Sequence, residues 1–142
     1  RLGTNGVSAL SLAIIVRVLL VSSLVETGLW LCLIMGSGLA VGKGFVMINR
    51  RLFVVSEFAG TATVSFLGSN IRQIVCLLLW FLPCLFIFSL EQLALGIFLC
   101  VLVSLWCGFR AKFYLGGITG DILGATAFLT ELAFFLGILL LA

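Results

Sequence analysis

One short run, Leu115-Gly116-Gly117-Ile118-Thr119-Gly120-Asp121-Ile122-Leu123-Gly124-Ala125, gathers glycines, a hydroxyl and an acid at the mouth of an otherwise apolar segment. Glycines let backbone N–H groups come close to a ligand, and a helix starting just beyond them favours negative charge. Asp121 is the only aspartate in the 142 residues and adds a hard oxygen donor. Gly117, Thr119, Gly120 and Asp121 therefore suggest phosphate and metal handling at a membrane surface, with Asp121 as metal ligand or orienting carboxylate. The same residues also suit a structural end, because Thr119 or Asp121 can cap the helix that follows. Arg110 and Lys112 lie just upstream, and Asn49-Arg50-Arg51 forms a second basic group. Such cations can neutralise phosphate. Arg50 and Arg51 equally suit anchoring a span at the interface.

Two further ionisable residues stand inside apolar stretches. Glu131 lies ten residues beyond Asp121, about 15 Å deeper at the rise of a helix. Arg17 sits midway along the first apolar stretch and is an available partner. The two could form a buried ion pair, or line a substrate pocket. Gly124, Phe128 and Glu131 follow helical spacing, so Glu131 could face a cavity opening at Asp121. The chain has no histidine, which excludes Ser-His-Asp and Cys-His catalysis within it. With one aspartate and four scattered glutamates it cannot assemble a two-metal site unaided. The five cysteines lie in apolar runs without a CxxC pair and read as buried free thiols, and Trp30, Trp80 and Trp106 as interfacial or packing aromatics.

The elements that must position these groups follow from composition. The chain is 63% hydrophobic and 9% charged, against about 25% charged residues in a soluble domain. The solvent for such a chain is lipid. Continuous apolar runs, rather than alternating ones, predict an all-α polytopic transmembrane bundle and not a β-barrel. Five spans are expected, at about Val7–Val25, Gly28–Ile48, Ile74–Leu90 with a kink at Pro83, Leu93–Phe109 and Ile122–Ala142. Residues Leu52–Leu67 suit a re-entrant or interfacial segment, with a short span as the rival reading. Five spans place Arg1, Arg50, Arg51, Arg72, Arg110 and Lys112 on one face, and Glu26 and Glu91 on the other. The positive-inside rule makes the basic face cytoplasmic, together with the N-terminal end and the Gly-Asp run. A net charge of +3 is too small and too scattered to suggest a nucleic-acid partner, and none is expected. No signal peptide is expected at the opening, and the start at Arg1 reads as that of a fragment.

Gly116-Gly117-Ile118-Thr119-Gly120-Asp121-Ile122-Leu123-Gly124-Ala125, followed by Leu129-Thr130-Glu131, closely resembles the C-terminal signature of the cobalamin synthase family, the adenosylcobinamide-GDP ribazoletransferases. The opening Arg1-Leu2-Gly3-Thr4-Asn5-Gly6-Val7-Ser8-Ala9-Leu10 is similar to a family segment leading into an apolar helix with a mid-span basic residue, which Arg17 matches. Asn49-Arg50 resembles a polar-Arg pair that follows the next span.

The resemblance implies that residues 1–142 form the C-terminal part of a single membrane domain, with the family's acidic motif upstream of Arg1. It implies the last step of cobalamin nucleotide-loop assembly. There, the phosphate or hydroxyl of α-ribazole (5′-phosphate) attacks the corrinoid-linked phosphate of adenosylcobinamide-GDP, GMP leaves, and Mg²⁺ is needed. It gives Asp121 the catalytic and metal-positioning role and Gly117, Thr119 and Gly120 the phosphate approach. Arg50, Arg110 and Lys112 become substrate-binding cations, and Arg17 and Glu131 inner pocket groups. A multi-pass protein of the cell inner membrane is implied. A transporter or channel-like subunit, with Arg17 and Glu131 along its path, is the rival reading from another class. A CDP-alcohol-type membrane phosphotransferase is a second.

Overall fold

The computed structural model describes residues 4–28, 30–56 and 84–142, with residues 75, 79, 81 and 82, and of residues 4–6 the backbone only. Residues 74, 76–78, 80 and 83 of the expected third span, most of the expected re-entrant segment, and Arg1, Glu57 and Arg72 lie outside these residues, among them Cys76, Trp80 and Pro83. Among the described residues four helices are long and apolar enough to cross a membrane. They are α1 (Thr4–Glu26), α2 (Leu31–Leu52), α3 (Leu90–Leu115) and α4 (Gly120–Leu139). The structure is an all-α transmembrane bundle, as the continuous apolar runs require, since only intra-segment hydrogen bonding satisfies a backbone in lipid.

Local chemistry sets the helix ends. Gly28, at φ +87°, lets the chain reverse between α1 and α2. Ser89 and Gln92 form a reciprocal capping box that starts α3, each side chain bonding the other's backbone N–H. Gly116, in the left-handed conformation at φ +69°, stops α3. Thr119 then caps α4 through a hydrogen bond from the Ile122 N–H.

Helix α4 is the centre of the bundle and touches all three others. Small residues let the backbones close up, the usual basis of helix association in lipid. A Cβ on Gly42 of α2 would lie 2.6 Å from the Ala127 carbonyl oxygen of α4. Gly96 of α3 and Gly137 of α4 meet backbone to backbone. Phe134, Phe135, Ile138, Ile34 and Leu24 are fully buried around these contacts. By contrast α1 is peripheral, with Leu10, Leu12, Ile15 and Val18 more than half exposed. Such a face is stable only in lipid.

The pairings fix the direction of each helix. Gly42 lies on Ala127 and Gly38 on Phe135, so α2 and α4 run antiparallel. Asn49 pairs with Ser104 and Phe53 with Phe109, so α2 and α3 run parallel. The start of α1, the ends of α2 and α3 and the start of α4 therefore share one end of the bundle. Arg50, Arg51, Arg110 and Lys112 collect there, while Glu26 and Glu91 lie at the other. This is the segregation expected from the sequence.

Candidate functional site

The basic end is built around the turn between α3 and α4. Residues 53–56, leaving α2, pair with this turn as an isolated parallel bridge between Val55 and Ile118. The Ile118 N–H donates to the Val54 carbonyl at 2.9 Å, and the Ser56 N–H donates to the Ile118 carbonyl at 3.1 Å. The Ser56 hydroxyl closes the assembly by donating to the Leu115 carbonyl at 2.8 Å. Sequence reasoning did not anticipate this bridge, because no strand-length pattern announces a two-bond pairing.

Gly117 takes its meaning from the bridge. A Cβ there would lie 2.5 Å from the Val54 oxygen and 2.7 Å from the Ser56 nitrogen. Residue 117 is buried against backbone, and its lack of a side chain is what lets the bridge form. Beyond it Thr119 is half-buried, and Gly120 and Asp121 are exposed. The Asp121 carboxylate thus stands in the first turn of α4, where the helix dipole favours an anion. A phosphate could approach the same turn.

The basic residues around this mouth differ in freedom. Arg110 is exposed but held against its own helix, with its guanidinium 5.7 Å from the Trp106 ring and 5.2 Å from the Tyr114 ring. It also donates to the Tyr114 hydroxyl at 3.0 Å. Lys112 is exposed, and Arg50 is half-buried. Asn49, beside Arg50, is fully buried: its amide donates to the Ser104 carbonyl at 3.0 Å and accepts from the Ser104 hydroxyl at 2.8 Å. It locks α2 to α3 and so holds Arg50 at the rim.

Deeper in the bundle, Arg17 donates to the Glu131 carboxylate at 2.6 Å. Glu131 is almost wholly buried, and the Arg17 guanidinium rests 5.6 Å from the Phe128 ring. The expected pairing of the first and last spans is present. Arg17 also lines a groove of about 650 Å³ between α1 and α2, which runs past Val21 and Met35 to Glu26 at the acidic end. The structure therefore brings Arg17 and Glu131 together, and it collects Gly117, Thr119, Gly120, Asp121, Arg50, Arg110 and Lys112 at the opposite, basic end.

Lys43 was not singled out from the sequence, where it reads as one more cation in a glycine-loosened span. It is exposed on α2, nine residues before Leu52, about 13 Å from the basic end. A lysine at the centre of a bilayer costs about 3 kcal/mol on insertion scales. Position in a span, rather than residue type, is the signal that marks it.

The family model for cobalamin-5-phosphate synthase matches residues 1–139, nearly the whole chain. The chain belongs to that family. Membership assigns a role in cobalamin synthesis and implies cobinamide-type substrates. No solved structure matches the chain. Among the described residues no three metal-ligating side chains gather. Asp121 alone fits a magnesium ion carried mainly by the phosphates of a substrate, since Mg²⁺ keeps several waters and uses only one or two carboxylates.

Proposed function

We propose that this chain forms part of the enzyme of the closing step of cobalamin assembly, which joins α-ribazole (5′-phosphate) to adenosylcobinamide-GDP with release of GMP. One observation carries the reading beyond family membership. The N-terminus of α4, with its Thr119 cap and exposed Asp121, lies at the same end of the bundle as Arg50, Arg51, Arg110 and Lys112.

In this reading the acceptor's 5-phosphate is carried into the product, and a hydroxyl of the acceptor is the attacking group. Its oxygen forms a bond to the phosphorus that carries the corrinoid arm, and it loses its proton. The bond from that phosphorus to the bridging oxygen breaks, and GMP leaves with the oxygen. Charge on the transferred phosphoryl group is the main obstacle, and fixed cations and backbone dipoles are the usual remedy. Lys112 and Arg50 supply positive charge at the rim. Arg110, pinned by Trp106 and Tyr114, presents a pre-positioned guanidinium. Thr119 and Gly120 form the helix mouth that the phosphate approaches, and Gly117 holds that mouth on the 53–56 segment. Mg²⁺ bound to the substrate phosphates and Asp121 would offset the same charge. The Arg17–Glu131 pair forms an inner wall. In this reading the basic end faces the cytoplasm, where the anionic substrates are found, and the bundle sits in the cell inner membrane.

The test is a reaction of the purified full-length protein in nanodiscs with both substrates and Mg²⁺. Corrinoid product and GMP should appear in equal amounts. Failure to form the joined product would overturn the reading.

A further inference from the structure

Arg51 shares the basic end with the rim cations but faces away from the mouth of α4. It follows Gly42 by nine residues, so it stands on the side of α2 opposite the one that Gly42 lays on Ala127 of α4. Arg50 lies about 100° round the helix from it. Arg51 is exposed, and no hydrogen bond or ion pair holds it among the described residues.

Below Arg51 runs an apolar groove of about 170 Å³, walled by Ala40, Gly44, Phe45 and Ile48 of α2, Ile97 of α3 and Phe81. Gly44 precedes Arg51 by seven residues and Ala40 by eleven, so both lie within about 20° of Arg51 round the helix. Ile48 is 46% exposed, which opens the groove at the outer surface of the bundle. A helical side chain leans over the turn on its N-terminal side, and for Arg51 that is the turn of Ile48. From Ala40 to Ile48 this stripe of α2 is about 12 Å of small and apolar lining. One cation then stands about 5 Å above it, in the last turn of the helix.

An apolar groove on the outside of a bundle in lipid meets acyl chains. The chains alone select nothing, because lipid tails are as apolar as the side chains they touch. The cation selects. A guanidinium at the end of a transmembrane helix is complementary to an anionic headgroup, and basic pockets between such helices hold one in this way. Its N–H groups form a fork that matches phosphate oxygens. We infer that the α2–α3 groove and Arg51 bind one anionic phospholipid of the leaflet at the basic end, with its phosphate on Arg51 and an acyl chain along Gly44 and Ala40. This site is separate from the mouth of α4 and does not depend on the reaction proposed there.

Lipid retention tests it without substrate. The full-length protein is extracted in mild detergent from nanodiscs holding phosphatidylglycerol and phosphatidylcholine in equal amounts, and the retained lipid is identified by native mass spectrometry. The wild type should prefer phosphatidylglycerol by at least about fivefold, the scale of one basic residue at a charged membrane surface. Arg51→Gln should cut that preference about fivefold, and Arg51→Lys should keep most of it. Ala40→Leu, which fills the groove from its floor, should lower retention of phosphatidylglycerol with Arg51 intact. In lipid-free micelles Arg51→Gln should unfold at the wild-type midpoint, so that a lost preference reports the site and not the fold. No preference in the wild type, a preference unchanged in Arg51→Gln, full retention in Ala40→Leu, or displacement of the lipid by glycerophosphate alone would overturn the inference.

Discussion

Breaking the Arg17–Glu131 pair one side at a time should be far more damaging than removing it whole. Glu131 is 4% exposed and pairs with Arg17 at 2.6 Å. Glu131→Gln leaves a guanidinium in mid-bundle with no anion beside it. Removing one partner of a buried pair costs about 3–5 kcal/mol. The Arg17 side chain is 28% exposed to the groove, which relieves part of that cost. The lower figure, about 3 kcal/mol or roughly two powers of ten in the unfolding equilibrium, is therefore expected for Glu131→Gln. The double variant Arg17→Met with Glu131→Leu keeps the side-chain volumes and removes both charges. Replacing a buried pair by apolar groups of similar size is often neutral or better, so this variant should lie within about 1 kcal/mol of the wild type. Equilibrium unfolding in mixed micelles, followed by tryptophan fluorescence, measures all three. Single variants within about 0.5 kcal/mol of the wild type, or a double variant as unstable as the sum of the singles, would refute the reasoning.

Gly117→Ala should sever the Val55–Ile118 bridge, because its Cβ would lie 2.5 Å from the Val54 oxygen. A loss of about 1–3 kcal/mol is expected in the same unfolding assay. Gly124→Ala, with nothing within 4 Å, should lose no stability and gain up to about 1 kcal/mol from helix propensity. Asn49→Ala and Ser104→Ala should each cost about 1–3 kcal/mol by leaving a buried polar group unpaired. Their double variant should cost less than the sum, read from the denaturant midpoints.

Much of this architecture is legible in the sequence because lipid leaves few choices. Long apolar runs must be helices, and the segregation of Arg50, Arg51, Arg110 and Lys112 from Glu26 and Glu91 follows from counting spans. α2 ends four residues later than its apolar run suggests, since Asn49, Arg50 and Arg51 continue the helix into the interface. The meeting of Arg17 and Glu131 was legible too, because two isolated opposite charges in lipid have few other partners. The Val55–Ile118 bridge was not legible. It pairs residues far apart in sequence through backbone atoms, which no side-chain pattern encodes. The role of Asn49 was masked by its neighbours, since a polar-Arg-Arg run reads first as an interfacial anchor.

The central claim is that the mouth of α4 at the basic end is where phosphate chemistry occurs. Asp121→Asn tests it most directly, because the residue is exposed and its loss should not disturb the fold. In nanodiscs supplied with adenosylcobinamide-GDP, α-ribazole 5′-phosphate and Mg²⁺, the variant should lose at least ~100-fold in kcat/KM, the scale of removing one preorganised charged group. Its unfolding midpoint should remain at the wild-type value. Turnover equal to the wild type would contradict the account and move the site away from Asp121.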